Sequence, residues 1–135
     1  CLLSRGLGDV YKRQIMDKNG DNIKRISKGR GVYGNPVWSP RGDLIAFTKL
    51  TQGNFHIGVM DTNGNNERVI VRDFSLESPA WSPNGRYLIF HRQKRSNLDG
   101  TGGEVSIHFI DITGYNERVI PTPLDGSDPA WSPLL

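Results

Sequence analysis

The sequence predicts an all-β fold built from repeated units of short antiparallel strands. The chain has 16 Gly and 8 Pro among 135 residues, together about 18% against roughly 12% in average proteins, and this excess favours tight turns. One apolar segment recurs along the chain at near-constant spacing. No stretch shows the sustained 3.6-residue periodicity of an amphipathic helix. These observations point to many short strands joined by turns.

The repeated segment contains a tryptophan between two prolines. PVWSPRGDLIAF returns as PAWSPNGRYLIF and again as PAWSPLL, beginning at Pro36, Pro79 and Pro129. The tryptophans Trp38, Trp81 and Trp131 are therefore 43 and 50 residues apart. We expect each tryptophan to pack between neighbouring units and to bury a large aromatic area there.

A second element follows the first at a constant distance. HIGVMDTNGNNERVI at residues 56–70 returns as SIHFIDITGYNERVI at 106–120, and an earlier copy, IMDKNGDNIKRI, occupies 15–26. Asp17, Asp61 and Asp111 each precede a glycine by three residues. Their carboxylates are expected to accept hydrogen bonds from turn amides rather than to bind metal.

Each unit resolves into four short strands. In the first complete unit the predicted strands are 37–39, 44–49, 55–61 and 67–71, and the second unit repeats them between Ala80 and Ile120. Asn63-Gly64 predicts a type I′ hairpin turn. The extra residues of the second unit lie between Arg92 and Gly103, where we expect a longer surface loop. Four antiparallel strands per 43 to 50 residues are typical of a β-propeller blade.

The first fourteen residues, CLLSRGLGDVYKRQ, differ from the rest of the chain. They resemble translated sequencing-adapter read-through, so we expect residues 1–14 to be a non-native leader and 15–135 to be the propeller segment. The alternative is that Val10 to Gln14 form a genuine strand. Without the leader's three basic residues and one acidic residue, the net charge falls from +3 to +1. This charge does not call for an anionic partner such as nucleic acid.

No motif of catalysis, cofactor binding or metal binding stands out. Residues 29–34, GRGVYG, match G-x-G-x-x-G, but a strand rather than a helix is predicted to follow them. Neither G-x-S-x-G nor H-E-x-x-H occurs. His56, His91 and His108 lack ligand spacing and are expected to be packed or at a rim. No stretch approaches the roughly 20 apolar residues of a membrane span. We therefore expect a non-enzymatic protein without cofactor or metal.

With these motifs, the chain resembles the carboxyl-terminal part of the TolB family, periplasmic propeller proteins of the Gram-negative Tol-Pal envelope system. The most specific stretches are FHIGVMDTNGNNERVI, DITGYNERVIPTP and the ending SDPAWSPLL. The resemblance covers residues 15–135. The family's signal peptide, amino-terminal α/β domain and about half of its propeller have no counterpart here. It implies a six-bladed periplasmic parent and a partial β-propeller here, with two complete blades plus portions of two more.

The resemblance also implies a function. It implies a protein-binding propeller, peripheral to the envelope, that docks the peptidoglycan-associated lipoprotein Pal, acts with other Tol proteins, and supports outer-membrane integrity and constriction during cell division. It places partner-binding loops just ahead of the tryptophan strands, at Tyr33, Gly34, Asn35, Leu76, Glu77, Ser78, Gly126, Ser127 and Asp128. The alternative is a propeller fragment of a prolyl-oligopeptidase-type serine peptidase, whose chemistry lies in a following hydrolase domain.

Overall fold

The computed structural model describes Leu2–Leu3 and residues 12–133. Within them, strands form three antiparallel sheets. The amino-terminal sheet contains β1 (Leu2–Leu3), β2 (Gln14–Ile15) and β3 (Lys24–Arg25). The described residues contain no helix with the length and hydropathy of a membrane span.

The other two sheets are the complete blades that the repeat predicts. The first blade contains β4 (Val32–Trp38), β5 (Leu44–Thr51), β6 (Asn54–Asp61) and β7 (Arg68–Asp73). The second contains β8 (Ser75–Trp81), β9 (Tyr87–Gln93), β10 (Val105–Asp111) and β11 (Arg118–Ile120). In both blades each strand pairs antiparallel with the next one along the chain. The predicted all-β architecture of four-stranded blades is confirmed.

The two blades have the same register at their tryptophans. Trp38 pairs with Ile45 across β4 and β5, and Trp81 pairs with Leu88 across β8 and β9. Both residues of the second pair lie 43 positions after those of the first. Because a one-residue slip would turn a strand's side chains to the opposite face, this agreement places both tryptophans on equivalent faces.

Both faces of the first blade are buried. Successive side chains point to opposite faces, and each face packs against a different neighbouring sheet. Ile45 and Phe47 join a cluster with Ile26, next to the amino-terminal sheet. Ala46, on the opposite face, joins the core between the two blades. That interblade core comprises Ala46, Ile57, Val59 and Ile70 from the first blade, and Leu76, Trp81, Leu88, Phe90 and Ile110 from the second.

The three tryptophans have different environments. Trp81 is 8% exposed, and its Nε1 donates to the carbonyl of Val37 in the first blade at 3.0 Å, which confirms the interblade prediction at this position. Trp38 packs against the cluster containing Ile26, and its Nε1 has no hydrogen-bond partner in the described part of the chain. Trp131 is 37% exposed, so for this residue the prediction is wrong. Residues 121–133 form no strand, so Trp131 has no neighbouring strand to pair with.

The aspartates stabilise turns as predicted. Asp61 Oδ1 accepts from the backbone N–H groups of Asn63 and Asn65 at 2.9 and 2.8 Å. Asp17 and Asp111 accept equivalent bonds. Backbone hydrogen bonds, which favour the charged carboxylate, lower the pKa of all three aspartates.

The predicted type I′ turn lies elsewhere. Gly64 has φ +75°, but Asn63 does not have positive φ. Gly64 N instead donates to Asp61 O at 2.9 Å, as in a type I turn with glycine at its fourth position. Gln52 and Gly53 have φ of 50° and 73° and connect the paired residues that end β5 and begin β6. Since both central residues have positive φ, this hairpin is the type I′ turn.

The described part of the predicted leader contacts the propeller segment. Gln14 begins β2, which pairs with β1 and β3. Lys12 Nζ donates to Gly29 O at 2.7 Å, and Arg13 N donates to Ser27 Oγ at 2.7 Å. The remaining leader residues, Val10 among them, lie outside the described residues. Its non-native origin stays a prediction.

Candidate partner-binding site

Six of the nine residues predicted to bind a partner lie not in loops but on the first strand of each complete blade, β4 and β8, which we call the inner strands. Tyr33, Gly34 and Asn35 belong to β4, and Leu76, Glu77 and Ser78 belong to β8. For these six residues the loop assignment is wrong. Gly126, Ser127 and Asp128 do lie outside any strand.

Bulges explain why β4 and β8 continue past their prolines. The register shifts between Gly34 and Val37 in β4 and between Glu77 and Ala80 in β8. Each bulge contains the proline, so the missing N–H falls where the ladder is already interrupted. The strands therefore extend amino-terminal to Pro36 and Pro79.

The residue before each repeated proline has the same unusual backbone conformation. Asn35, Ser78 and Asp128 have φ of 42°, 54° and 48°. A following proline disfavours the right-handed helical region, and asparagine and aspartate tolerate the left-handed one better than most residues. We call these three residues the pre-proline triplet. The triplet therefore repeats one backbone conformation ahead of each repeated proline.

Burial separates the nine predicted residues into two groups. Tyr33 and Leu76 are each 0% exposed, so their side chains cannot contact a partner. Tyr33 is also anchored, because its hydroxyl donates to Glu67 Oε2 at 2.6 Å. Asn35, Ser127 and Asp128 are exposed, and Gly34, Glu77, Ser78 and Gly126 are partly exposed.

The structure joins the second and third predicted segments. Ser78 Oγ donates to Asp128 Oδ1 at 2.7 Å. This hydrogen bond, followed by one from Ser127, lowers the pKa of Asp128. Two members of the pre-proline triplet, 50 residues apart in sequence, are thus in direct contact.

His91 is a site residue that the sequence analysis missed. Its Nδ1 accepts a hydrogen bond from Asp128 N at 3.3 Å. His91 lies opposite Glu77 across β8 and β9. Once the register of these two strands is predicted, the position of Glu77 points to His91 as its neighbour. The Glu77 side chain has no hydrogen bond or ion pair in the described part of the chain. The site therefore offers two carboxylates, a serine hydroxyl and an imidazole for recognition by hydrogen bonding.

A partly buried ion pair is repeated at equivalent positions of the two blades. Lys49 Nζ lies 2.6 Å from Glu67 Oε1 in the first blade, and Arg92 Nη2 lies 2.7 Å from Glu117 Oε1 in the second. Arg92 also lies 3.2 Å from Asp73 Oδ2 of the first blade. This second contact links the two blades beside their shared apolar core.

His108 completes this charged cluster. The ring stacks on Phe90 with centroids 5.7 Å apart, and Nε2 lies 2.9 Å from Ser106 Oγ. Nδ1 is 2.8 Å from Glu117 Oε1 but has no hydrogen-bond partner of acceptable geometry among the described residues. Burial, and next the positive charge of Arg92, lower the pKa of His108. Burial and Arg92 thus favour the neutral form of His108, whereas Glu117 and Asp73 oppose this shift.

Two further features concern ligands. Among residues 12–133, no group of three or more His, Cys, Asp or Glu side chains could hold a metal ion. A cleft of about 790 Å³ lies beside the outer strand of the second blade, lined by Val105, Ser106 and residues 119–125. None of the nine predicted residues lines this cleft.

Comparison with known sequences gives a consistent result. A family model described as the TolB beta propeller domain matches residues 5–135. The chain is 51% identical over 76 residues to the Tol-Pal system protein TolB of Gluconobacter oxydans, covering 56% of this chain and 17% of that protein. It is 56% identical over 55 residues to the protein of the same name from Wolbachia pipientis wMel, covering 41% and 13%. The chain thus spans less than a fifth of these relatives' lengths.

Solved structures share the fold. A structure described as TolB from Agrobacterium tumefaciens superposes with a TM-score of 0.72 at 22% identity, covering 93% of this chain and 48% of that one. An acylaminoacyl peptidase from Pyrococcus horikoshii superposes with a TM-score of 0.55 at 16% identity, covering 82% and 23%. At these identities the likeness shows a common propeller architecture alone.

Proposed function

Because the chain belongs to the TolB beta propeller domain family, we propose that it is part of a non-enzymatic, protein-binding propeller of the Tol-Pal envelope system. The proposed location is the periplasm, and the proposed partner is Pal. The curated relatives described above carry the name Tol-Pal system protein TolB. The structural observation that supports the proposal is the pre-proline triplet. Its three residues share a left-handed backbone conformation on successive units, and all are exposed or partly exposed.

The triplet and its neighbours suit protein docking. Asn35 and Ser78 lie on strands, and a site on regular elements is held more precisely than one on loops. The carboxylates of Glu77 and Asp128 can accept charge-assisted hydrogen bonds, which are stronger than neutral ones. The proposed interface therefore combines rigid positions with charged acceptors.

Charge reversal at the two carboxylates tests the proposal. Glu77→Lys and Asp128→Lys would each remove an acceptor for a charged partner group, worth about 1.5–3 kcal/mol. At about 1.4 kcal/mol per tenfold, affinity for Pal should fall about 10- to 150-fold. Isothermal titration of purified Pal into the full-length parent protein and each variant measures the change, with circular dichroism to confirm folding.

Asp43→Lys is the matched control. Asp43 is an exposed acid in the turn after β4, at the opposite end of that strand from its start, and its ion pair with Arg41 spans 3.4 Å between exposed side chains. Its reversal should leave Pal affinity within about twofold, since exposed ion pairs contribute little. Arg68 would be a poorer control, because its guanidinium donates to Ile112 O. Unchanged affinity in both test variants would show that Pal does not bind at Glu77 and Asp128.

The second candidate is the propeller portion of a serine peptidase. The likeness to the acylaminoacyl peptidase of Pyrococcus horikoshii favours it. Such a parent would carry a hydrolase domain with a G-x-S-x-G nucleophile elbow. Sequencing the parent gene beyond the codon for Leu135 separates the candidates. A hydrolase sequence would establish the peptidase, and a stop codon would support the Tol-Pal protein.

A further inference from the structure

Three hydrogen bonds hold residues 126–128, which we call the strap, against the second blade. Gly126 N donates to Val105 O at 3.1 Å. Ser78 Oγ donates to Asp128 Oδ1, and Asp128 N donates to His91 Nδ1. Two of these bonds involve Asp128. Ser78 holds its carboxylate and His91 holds its backbone N–H, so together they fix the position of this residue.

The bond to Asp128 N constrains the protonation state of His91. A backbone N–H can only donate, so Nδ1 must accept with a free lone pair. The neutral imidazole with its proton on Nε2 satisfies this requirement. A doubly protonated ring has two donors and no acceptor, so it would oppose the Asp128 N–H.

Acidic residues lie on two sides of His91. Glu77 lies opposite on β8, Ile107 lies opposite on β10, and Asp128 approaches from the strap. A protonated His91 would attract the carboxylate of Asp128, which the neutral ring leaves bonded to Ser78. Protonation of His91 would therefore replace the hydrogen bond from Asp128 N with repulsion between two N–H donors.

We propose that His91 is a positioning residue that holds the strap in its binding arrangement and makes partner affinity depend on pH. This inference rests on the proposed function, because it assigns regulation to the same surface. Protonation of His91 removes the acceptor for Asp128 N and so releases one of the three hydrogen bonds that hold the strap.

The pH dependence of Pal binding tests the proposal. Titration of Pal into the full-length parent protein should give about three- to tenfold weaker affinity at pH 5.5 than at pH 7.5, the loss of about one net hydrogen bond. In His91→Gln the amide oxygen can accept from Asp128 N at both pH values. This variant should bind Pal at pH 7.5 nearly as the wild type does, with no loss at pH 5.5. His91→Leu, without an acceptor, should bind weakly at both.

His56→Gln is the matched control. His56 is buried in the first blade, where its Nδ1 lies 3.2 Å from Lys49 O, and this variant should keep the wild-type pH response. An independent readout is the Asp128 amide resonance in aspartate-labelled protein, which should shift between pH 7.5 and 5.5 in the wild type but not in His91→Gln.

The two readouts separate failure of this inference from failure of the proposed function. Absence of Pal binding by the wild type at pH 7.5 would refute the Pal proposal, while the amide shift still decides the role of His91. The same pH response of affinity and amide resonance in the wild type and His91→Gln would overturn the role of His91 and leave Pal docking standing.

Discussion

The hydrogen bond between Trp81 and Val37 offers a direct test of how the blades are joined. Trp81→Phe keeps an aromatic ring in the interblade core but removes the N–H that donates to Val37 O at 3.0 Å. The lost hydrogen bond should cost about 1 kcal/mol. The space left by the smaller ring should cost about 1 kcal/mol more, because the core closes around it only in part. We expect a total loss of about 2 kcal/mol in the free energy of unfolding.

Trp38→Phe is the internal control, since the two tryptophans share one register. Trp38 Nε1 has no partner among the described residues, so this substitution should cost only about 1 kcal/mol for packing. Urea unfolding followed by far-ultraviolet circular dichroism measures both, as a shift in midpoint at constant slope. Equal losses in the two variants would show that the Trp81 hydrogen bond contributes nothing, and the interblade account would be wrong.

Two further predictions concern stability. Gly58→Ala would place a Cβ 2.7 Å from Phe47 Cζ and 2.9 Å from Arg68 O, so overpacking should cost about 1–3 kcal/mol, seen as a lower thermal midpoint. Lowering of the His108 pKa in the folded state means that the unfolded chain binds more protons below about pH 6.5. Stability should therefore be full above about pH 6.5 and decrease as pH falls from there toward the folded pKa. His108→Gln should reduce this dependence in urea titrations at pH 7.5 and 5.5, and an unchanged dependence would exclude His108 as its source.

Spacing was sufficient to predict the blades. The 43-residue offset between Trp38 and Trp81 predicted equivalent strands in one register, and the structure has them. Strand starts were harder to predict. Pro36 and Pro79 suggested that the inner strands begin just after them, whereas bulges let both strands begin earlier. A proline shows where a backbone hydrogen bond between strands is missing. The local sequence does not show whether the residues before the proline also pair.

The candidate site could be predicted only in part, because burial and contacts between distant residues depend on how the blades pack. The nine predicted residues include the pre-proline triplet, but their order in sequence does not separate buried Tyr33 and Leu76 from exposed Asn35. The contact between Ser78 and Asp128 spans 50 residues, and the distance between such positions depends on how blades pack. Trp131 matches the repeat in sequence, yet it lies outside any strand, because pairing requires partner residues as well as a local motif.

Site-specific photo-cross-linking shows whether the strap side of the inner strands docks Pal. A benzophenone amino acid in place of Ser127, which is exposed beside Asp128, should cross-link to Pal in the full-length parent protein. The same amino acid in place of Asp43, in the exposed turn after β4, should not. Cross-linking to Pal from position 43 but not from position 127, or from neither, would contradict docking on the strap side.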